Sequence, residues 1–584
     1  MLTNIVLSRV NRLLSVAATG VLLTVASASA QDLHTNLISV DALKQALGDE
    51  NLLVLDASPT RLYLEAHIPG AHSVSFTEEE SVSQGVNLSY GGGVDYFTDQ
   101  VDALVPFQEA APDIVQDLFQ QWGVGADKKV VVYDQGGSFF ASRLFYSLYY
   151  HGFPVEQLQI LDGGLSKWQA EGFEVTREIP DAPARGSFEI GELRAESKVG
   201  VEEFLTASGD RENNILIEAL GPDWHFGAAL NYNRRGHIPF AKMVPTPEFF
   251  NEDKTFKSPE QIRALAELVG VRPEQAIYTH CGGGIAGSLA FFALKFLGGY
   301  EDVKHFPESQ LGWLRDAREL PYWTYDAPYI LRESEWVQWW AGQRTRTLGS
   351  IHVSVVDIRP EDEYGRRHLP FALNIPATAF AESTDAELAA KLGSSGVNPK
   401  HEAVIVSANG IDKDAALAYV RLEALGQKDI SIFTDTVEAW VAKGFPVRDT
   451  PTLVAEKASR HDLAIPPVAY EAAARDGVIA GALTAPSGNF PRVILASGET
   501  LPASLDDGDA KVVHVPYTKL LDNGVPRPAN EIWDILSEAG VPRFAEIVTV
   551  ADDAGEAAIG YVILKLMGYP GISTALANAE SSGT

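Results

Sequence analysis

The chain has 584 residues, 46% hydrophobic, 21% charged and 9% aromatic; this length implies several cores, and the composition excludes disordered, collagen-like and disulfide-stapled chains. Lys and Arg total 46 against 78 Asp and Glu, a formal charge of -32, so the surface repels phosphate backbones and anionic lipid headgroups, and nucleic acid is not an expected partner. Cys281 is the single cysteine, which forbids an intramolecular disulfide and any multi-cysteine zinc or iron-sulfur site.

Residues 1–30 carry Arg9 and Arg12, a mostly apolar run from Leu13 to Val25, and Ala28-Ser29-Ala30. This order of regions reads as a cleavable signal peptide. The alternative is a membrane anchor, but the run is shorter than the roughly 20 residues a spanning helix needs. The expectation is a periplasmic or secreted protein with no membrane attachment after cleavage, its lone thiol in an oxidising compartment.

The rest of the sequence repeats itself. A buried-strand pattern followed by a His/Pro turn occurs as Leu53-Val54-Leu55-Asp56 with His67-Ile68-Pro69-Gly70-Ala71, as Leu216-Ile217-Glu218 with Gly236-His237-Ile238-Pro239, and as Val355-Val356-Asp357-Ile358-Arg359 with His368-Leu369-Pro370. A fourth copy keeps only Val512-Val513-His514-Val515-Pro516. Each is followed by a second apolar strand (Val130–Tyr133, Ala276–Thr279, Val404–Val406, Ile547–Val550), a small-residue loop and an apolar helix. The first three copies close on Trp168, Trp313 and Trp440; counting back 32, 32 and 31 residues makes Gly136, Cys281 and Asn409 equivalent, and strand alignment adds Asp552.

Strands alternating with helices predict an α/β fold of four tandem domains, each a mostly parallel sheet flanked by helices. Pro- and Ala-rich stretches place the domains at 31–186, 187–328, 329–452 and 453–584. Trp336, Trp339 and Trp340, just past the second boundary, read as domain-packing surface, with a ligand platform as the alternative. Asp506-Asp507-Gly508-Asp509 lacks calcium-loop spacing and reads as an exposed turn.

The informative stretch is Tyr278-Thr279-His280-Cys281-Gly282-Gly283-Gly284-Ile285-Ala286-Gly287-Ser288. A strand delivers Cys281 to its carboxyl end, the glycines let the backbone fold back with amides inward, and a helix begins near Ala286. Inward amides and the positive end of a helix stabilise a thiolate or a persulfide at the loop centre. The dinucleotide reading of Gly282-x-Gly284-x-x-Gly287 fails because a whole strand and the His237 segment precede it. A cysteine phosphatase needs Arg six positions after its Cys, and that position is Gly287.

Asp357-x-Arg359, the His-Ile-Pro turns, a six-residue loop opening with Cys281, and Leu161-Asp162-Gly163-Gly164 with Trp168 together resemble the rhodanese sulfurtransferase family (thiosulfate or 3-mercaptopyruvate sulfurtransferases). The resemblance covers nearly all of the chain after residue 30 as four rhodanese-like modules, degenerate in the fourth. It implies that Cys281 accepts a sulfane sulfur from thiosulfate, mercaptopyruvate or a related donor. The persulfide then passes that sulfur to a thiol, cyanide or a protein acceptor. Gly282, Gly283, Gly284, Ile285 and Ala286 would form the persulfide-binding loop, with no cofactor and no metal. Small residues after the Cys resemble the mercaptopyruvate-using members, yet Ala286 stands where those usually carry a hydroxyl residue. Glu218 replaces the customary Asp, and the three modules without Cys are expected to be catalytically silent. The competing class is a non-enzymatic persulfide carrier or scaffold, and a third is a redox or metalloid-handling protein.

Around this loop, Arg234 and Arg235 are candidates for binding an anionic donor, or else a solvated pair. His280 either stabilises the thiolate or, pointing the other way along the strand, is structural. His237 reads as turn-fixing. Trp224 and Tyr232 wall the pocket or pack within their loop. Asp134 and Arg143 face the second module across a cleft or form a buried ion pair.

Overall fold

A computed structural model describes residues 36–74, 111–457, 463–480, 483, 488–502, 505 and 510–576. The signal-peptide segment and the Asp506–Asp509 turn lie outside these residues.

Among the described residues four sheets of four or five strands are wholly parallel. The first orders its strands Leu37–Ile38, Leu158–Leu161, Lys129–Tyr133, Leu52–Asp56 and His72–Ser73, and the third repeats that order with Leu331–Arg332, Asp429–Phe433, Glu402–Val406, Val353–Asp357 and Leu373–Asn374. The second runs Val303–His305, Ala276–His280, Asn214–Glu218, Lys242–Met243, and the fourth Lys511–His514, Arg492–Ala496, Glu546–Val550, Gly571–Thr574. Central strands such as Val130-Val131-Val132-Tyr133 are buried on both faces, as parallel sheets covered by helices require.

The fourth sheet corrects the sequence alignment. Its first central strand is Arg492–Ala496, paired in register with Glu546–Val550, and Val512-Val513 belongs to the neighbouring edge strand Lys511–His514. The His/Pro signal drew attention to the edge because Arg492–Ala496 carries none.

The modules associate in pairs. Helix Phe139–Tyr150 packs on helix Ile285–Phe292, and helix Lys413–Ala424 packs on helix Ala554–Leu566. The first seam is aromatic: Phe145 meets Phe292 and Phe296 edge-on at 4.9 and 5.1 Å, and Tyr146 meets Phe291 at 5.1 Å. Each such pair contributes about 0.5–1.5 kcal/mol beyond area burial. A helix sandwiched between its own sheet and a partner helix is buried all round from Ala141 to Tyr149, hence the run Phe-Phe-Ala-Ser-Arg-Leu-Phe-Tyr-Ser-Leu-Tyr-Tyr. One apolar core accordingly runs through the first two sheets and another through the last two.

Trp339 and Trp340 are 55% and 47% exposed, with Arg344 over the Trp339 ring. Trp336 is partly buried, but against the core of its own third module, so the expected packing between domains is not what these side chains do.

Candidate active site

His280 ends a central strand of the second sheet, directly across from Glu218, and Cys281 follows at the strand's carboxyl end. The chain turns at Gly284, whose φ of +94° is left-handed, and its N–H points back at Cys281 Sγ, 3.1 Å away. A Cβ at Gly284 would lie 2.3 Å from the Pro307 carbonyl oxygen, so a side chain there is excluded by conformation and by space. Ile285 and Ala286 open helix Ile285–Phe292; amides of a helix's first turn lack intrahelical partners, and its amino end favours negative charge.

The helix Ser309–Arg315 fixes the loop from the other side. Cys281 N–H donates to Ser309 Oγ at 3.0 Å, and that oxygen stands 3.9 Å from Sγ while donating to the Phe306 carbonyl. The N–H groups of Gln310 and Leu311 donate to the carbonyls of Cys281 and Gly282, both at 3.0 Å. His305 reaches the Gly284 carbonyl at 2.9 Å through Nε2. Cys281 is 3% exposed and belongs to the apolar core of the first pair, whereas Gly282 and Gly283 beside it are half-buried. A Cβ built on Gly282 would meet only Leu220 Cδ1, at 3.9 Å, which leaves room next to the thiol.

The first module shows what this loop geometry can hold. There Leu165 and Ser166 donate to the carbonyls of Asp134 and Gln135, as Gln310 and Leu311 do to Cys281 and Gly282, which makes Asp134 the counterpart of Cys281. The Asp134 carboxylate accepts N–H groups of Gly136, Phe140 and Ala141 at 2.9, 2.8 and 3.2 Å. The same fold position thus cradles a carboxyl group in main-chain amides, although burial outweighs them and pushes Asp134 up.

Strand register puts Ser407 and Ala551 at the same point in the third and fourth modules, one residue past Val406 and Val550. Gly136, Asn409 and Asp552 are therefore not the counterparts. Counting back from the tryptophans failed for Gly136 and Asn409 because the strand-to-helix loops differ in length, the helices starting at Phe139, Ile285 and Lys413, and the strand alignment that gave Asp552 failed because the second module's strand runs one residue further, to His280.

The remaining candidates take up other positions. Arg234 donates to the Leu320 carbonyl and lies over Tyr322, and Arg235 donates to the carbonyls of Gly227 and Ala228. His280 points into the opposite face, edge-on to Phe204, and burial pulls it down to about 3. His237 fixes its turn, pairing main chain with Trp323 and bonding the His225 carbonyl through Nδ1; burial, then the neighbouring His225, lower it to about 3. Trp224 and Tyr232 are exposed at 39% and 51%, the latter beneath Arg315. Asp134 is engaged by its own loop, and Arg143 is buried with its guanidinium 5.5 Å from the Tyr146 ring.

Sequence reasoning missed Ser309 and Gln310. The available signal was Ser309 itself, standing four residues before Trp313 where the first module has Gly164 four before Trp168. It also noted Glu218 only as a departure. In the fold Glu218 is fully buried, with one carboxylate oxygen on Gln310 Nε2 and the other on His225 Nδ1, and His225 Nε2 reaches Asp326 at 3.1 Å. Burial pushes Glu218 up. Burial would lower His225, but Asp326 and Glu218 outweigh it and hold the ring above its ordinary value.

The chain is similar to several known proteins. The profile of the Rhodanese-like domain family matches residues 39–171 and 343–443. A sulfur carrier protein of Thermus thermophilus is 27% identical over 290 residues, covering 47% of this chain and 93% of that protein. The 3-mercaptopyruvate sulfurtransferase of Escherichia coli K12 is 29% identical over 280 residues, covering 45% and 89%. The crystal structure of SseA from Escherichia coli superposes with a TM-score of 0.39 at 26% identity, covering 47% of this chain and 98% of that one. The chain therefore carries rhodanese-like domains at residues 39–171 and 343–443.

Proposed function

We propose that the protein transfers sulfane sulfur through a persulfide on Cys281. The carrying observation is the Gly284 N–H aimed at Cys281 Sγ from the amino end of a buried helix, an arrangement that stabilises thiolate and a second, charged sulfur. Relatives named 3-mercaptopyruvate sulfurtransferase and sulfur carrier protein support the same chemistry. The Cys281 thiolate attacks the donor's outer sulfur; the new S–S bond forms as the donor leaves with the electron pair of the broken bond. An acceptor thiolate or cyanide then attacks that outer sulfur, and Cys281 departs again as thiolate. Gly282, Gly283, Gly284, Ile285 and Ala286 would form the loop around the transferred atom; Arg234 and Arg235, the proposed contacts of an anionic donor, would have to release the carbonyls of Leu320, Gly227 and Ala228 to reach it. Thiosulfate, mercaptopyruvate or a related molecule supplies the sulfur. Cleavage after residue 30 would make this a periplasmic or secreted activity.

Intact-mass measurement after exposure to each donor tests the reading. A gain of about 32 Da, one sulfur atom, is expected on the wild type and not on Cys281→Ser; an unchanged wild-type mass with every donor overturns it. The similarity to a sulfur carrier protein favours a second reading, in which the persulfide forms once and leaves only to a protein partner. Steady turnover with cyanide separates the two.

A further inference from the structure

The fourth module reaches the loop of the second through an unbroken chain of buried side chains. Arg543, 6% exposed, donates from Nη1 to the Met567 carbonyl and from Nη2 to Asp326 Oδ2, both at 2.9 Å. Asp326 Oδ1 meets His225 Nε2 at 3.1 Å; His225 Nδ1 meets Glu218; Glu218 accepts from Gln310 Nε2. Gln310 Oε1 accepts from Asn231 and, at 2.8 Å, from the Tyr322 hydroxyl. The main chain of Gln310 and its neighbours Ser309 and Leu311 then hold Cys281 and Gly282. Glu218, His225 and Gln310 are wholly buried.

The surrounding contact is built for this approach. Ala327 N–H donates to the Leu566 carbonyl, the Tyr325 hydroxyl to the Arg527 carbonyl, and Phe226, next to His225, stacks on Trp533 at 5.3 Å. A Cβ on Gly568 would fall 2.0 Å from Asp326 Oδ2, so the fourth module leaves its main chain bare where Asp326 enters.

We infer that the fourth module, itself without a thiol, supplies Arg543 as a positioning residue for the Cys281 loop, acting through Asp326, His225, Glu218 and Gln310. The inference rests on Cys281 being the reacting thiol. Glu218 and Asp326 face the Arg543 guanidinium and the His225 imidazole, with Lys242 also in the field of Asp326. Of these cations Arg543 alone hydrogen-bonds Asp326 Oδ2, so removing it leaves that buried oxygen without its donor and loosens the side-chain chain that ends on the helix clamping the loop. A competing use must be weighed: the ligand atoms of His225, His237 and Asp326 lie within 4.8 Å of one another. His225, however, already holds a carboxylate at each ring nitrogen, Glu218 at Nδ1 and Asp326 at Nε2, and Arg543 occupies the other Asp326 oxygen.

The test uses the full chain and the fact that Cys281 is its sole thiol. Iodoacetamide alkylation, followed by intact mass, gives a rate constant independent of any sulfur donor. Arg543→Met should slow alkylation at neutral pH on the order of tenfold, Arg543→Lys should recover most of it, and Arg492→Met, which breaks the edge pair with Glu546 in the same module, should leave it unchanged. With a donor that turns over, Arg543→Met should lower kcat with little change in KM. Wild-type alkylation in Arg543→Met, an equal loss in Arg492→Met, or stoichiometric zinc in the purified protein overturns the inference. Should Arg543→Met not fold, Asp326→Asn against Arg543→Lys makes the same comparison. Failure of every donor to load sulfur would instead count against the proposed function and leave the alkylation comparison in force.

Discussion

Ser309 of the second module occupies the left-handed position that Gly164 occupies in the first: φ is 53° at one and 56° at the other, each four residues before the closing tryptophan. A Cβ at Gly164 would sit 2.6 Å from the Asp134 carbonyl oxygen, whereas the shorter loop at Cys281 admits the serine. The strained conformation costs about 1–2 kcal/mol for a non-glycine residue, and in return a hydroxyl receives the Cys281 N–H.

This separates two substitutions. Ser309→Ala keeps the strain and leaves a buried N–H unpaired, a loss of about 1–3 kcal/mol. Ser309→Gly also removes the hydroxyl but relieves the strain, so it should unfold at higher urea than Ser309→Ala. Both should load sulfur more slowly than wild type in the mass assay. An alanine variant more stable than the glycine variant would contradict this account of Ser309.

The loop glycines differ in the same way. Gly284→Ala meets both a φ of +94° and the Pro307 carbonyl, and should cost about 2 kcal/mol or more while abolishing sulfur loading. Gly282→Ala, with only Leu220 Cδ1 at 3.9 Å, should change stability by less than about 0.5 kcal/mol. Gly282→Arg should remain folded and shift the ratio of thiosulfate to mercaptopyruvate turnover upward on the order of tenfold, since a cation beside the thiol favours the more highly charged donor.

His237 and His280 set an acid limit. Burial holds both at about 3 in the folded chain, against about 6.5 when unfolded. Between those values the unfolded state binds the extra protons, so stability falls as pH drops from 6.5 toward 3, by about 1.4 kcal/mol per pH unit for each histidine. His280→Phe should flatten the decline by one proton's worth, read from urea transitions between about pH 7 and 5. The expectation fails if the slopes coincide. His225 contributes with the opposite sign: its raised value gives stability that is complete at low pH and lost as pH rises through it.

Asp134→Asn replaces the anion that receives three amides at the start of helix Phe139–Tyr150. A loss of about 0.5–2 kcal/mol is expected, the scale of helix-cap removal. The rate of sulfur loading at Cys281 should stay that of wild type, because the first module's loop binds its own carboxylate. A loading rate that fell with stability would tie the two loops together.

Much of this was written locally. A thiol after a buried strand, glycines at the turn and an apolar helix behind them specify the Cys281 loop through main-chain geometry alone, and Gly284 behaves as its sequence position suggested. What eluded the linear reading is equally specific. Asp134 could not be matched to Cys281 by counting from tryptophans, because loop length varies while strand register does not. The first strand of the fourth sheet was passed over because Arg492–Ala496 lacks the His/Pro turn that flagged the others.

Strand periodicity, the repeated turns and the lone cysteine determined, by themselves, parallel α/β modules and a single thiol at the end of a central strand, since these follow from short-range conformational preference and from which side chains are apolar. Only the tertiary structure decided that the modules share cores in pairs, that Ser309 and Gln310 brace the loop, and that Arg543 closes a buried chain beginning at Asp326, 217 positions away in sequence. Contacts of that kind arise from packing between distant segments, where the energy belongs to a pair of burials and charges that neither segment encodes alone.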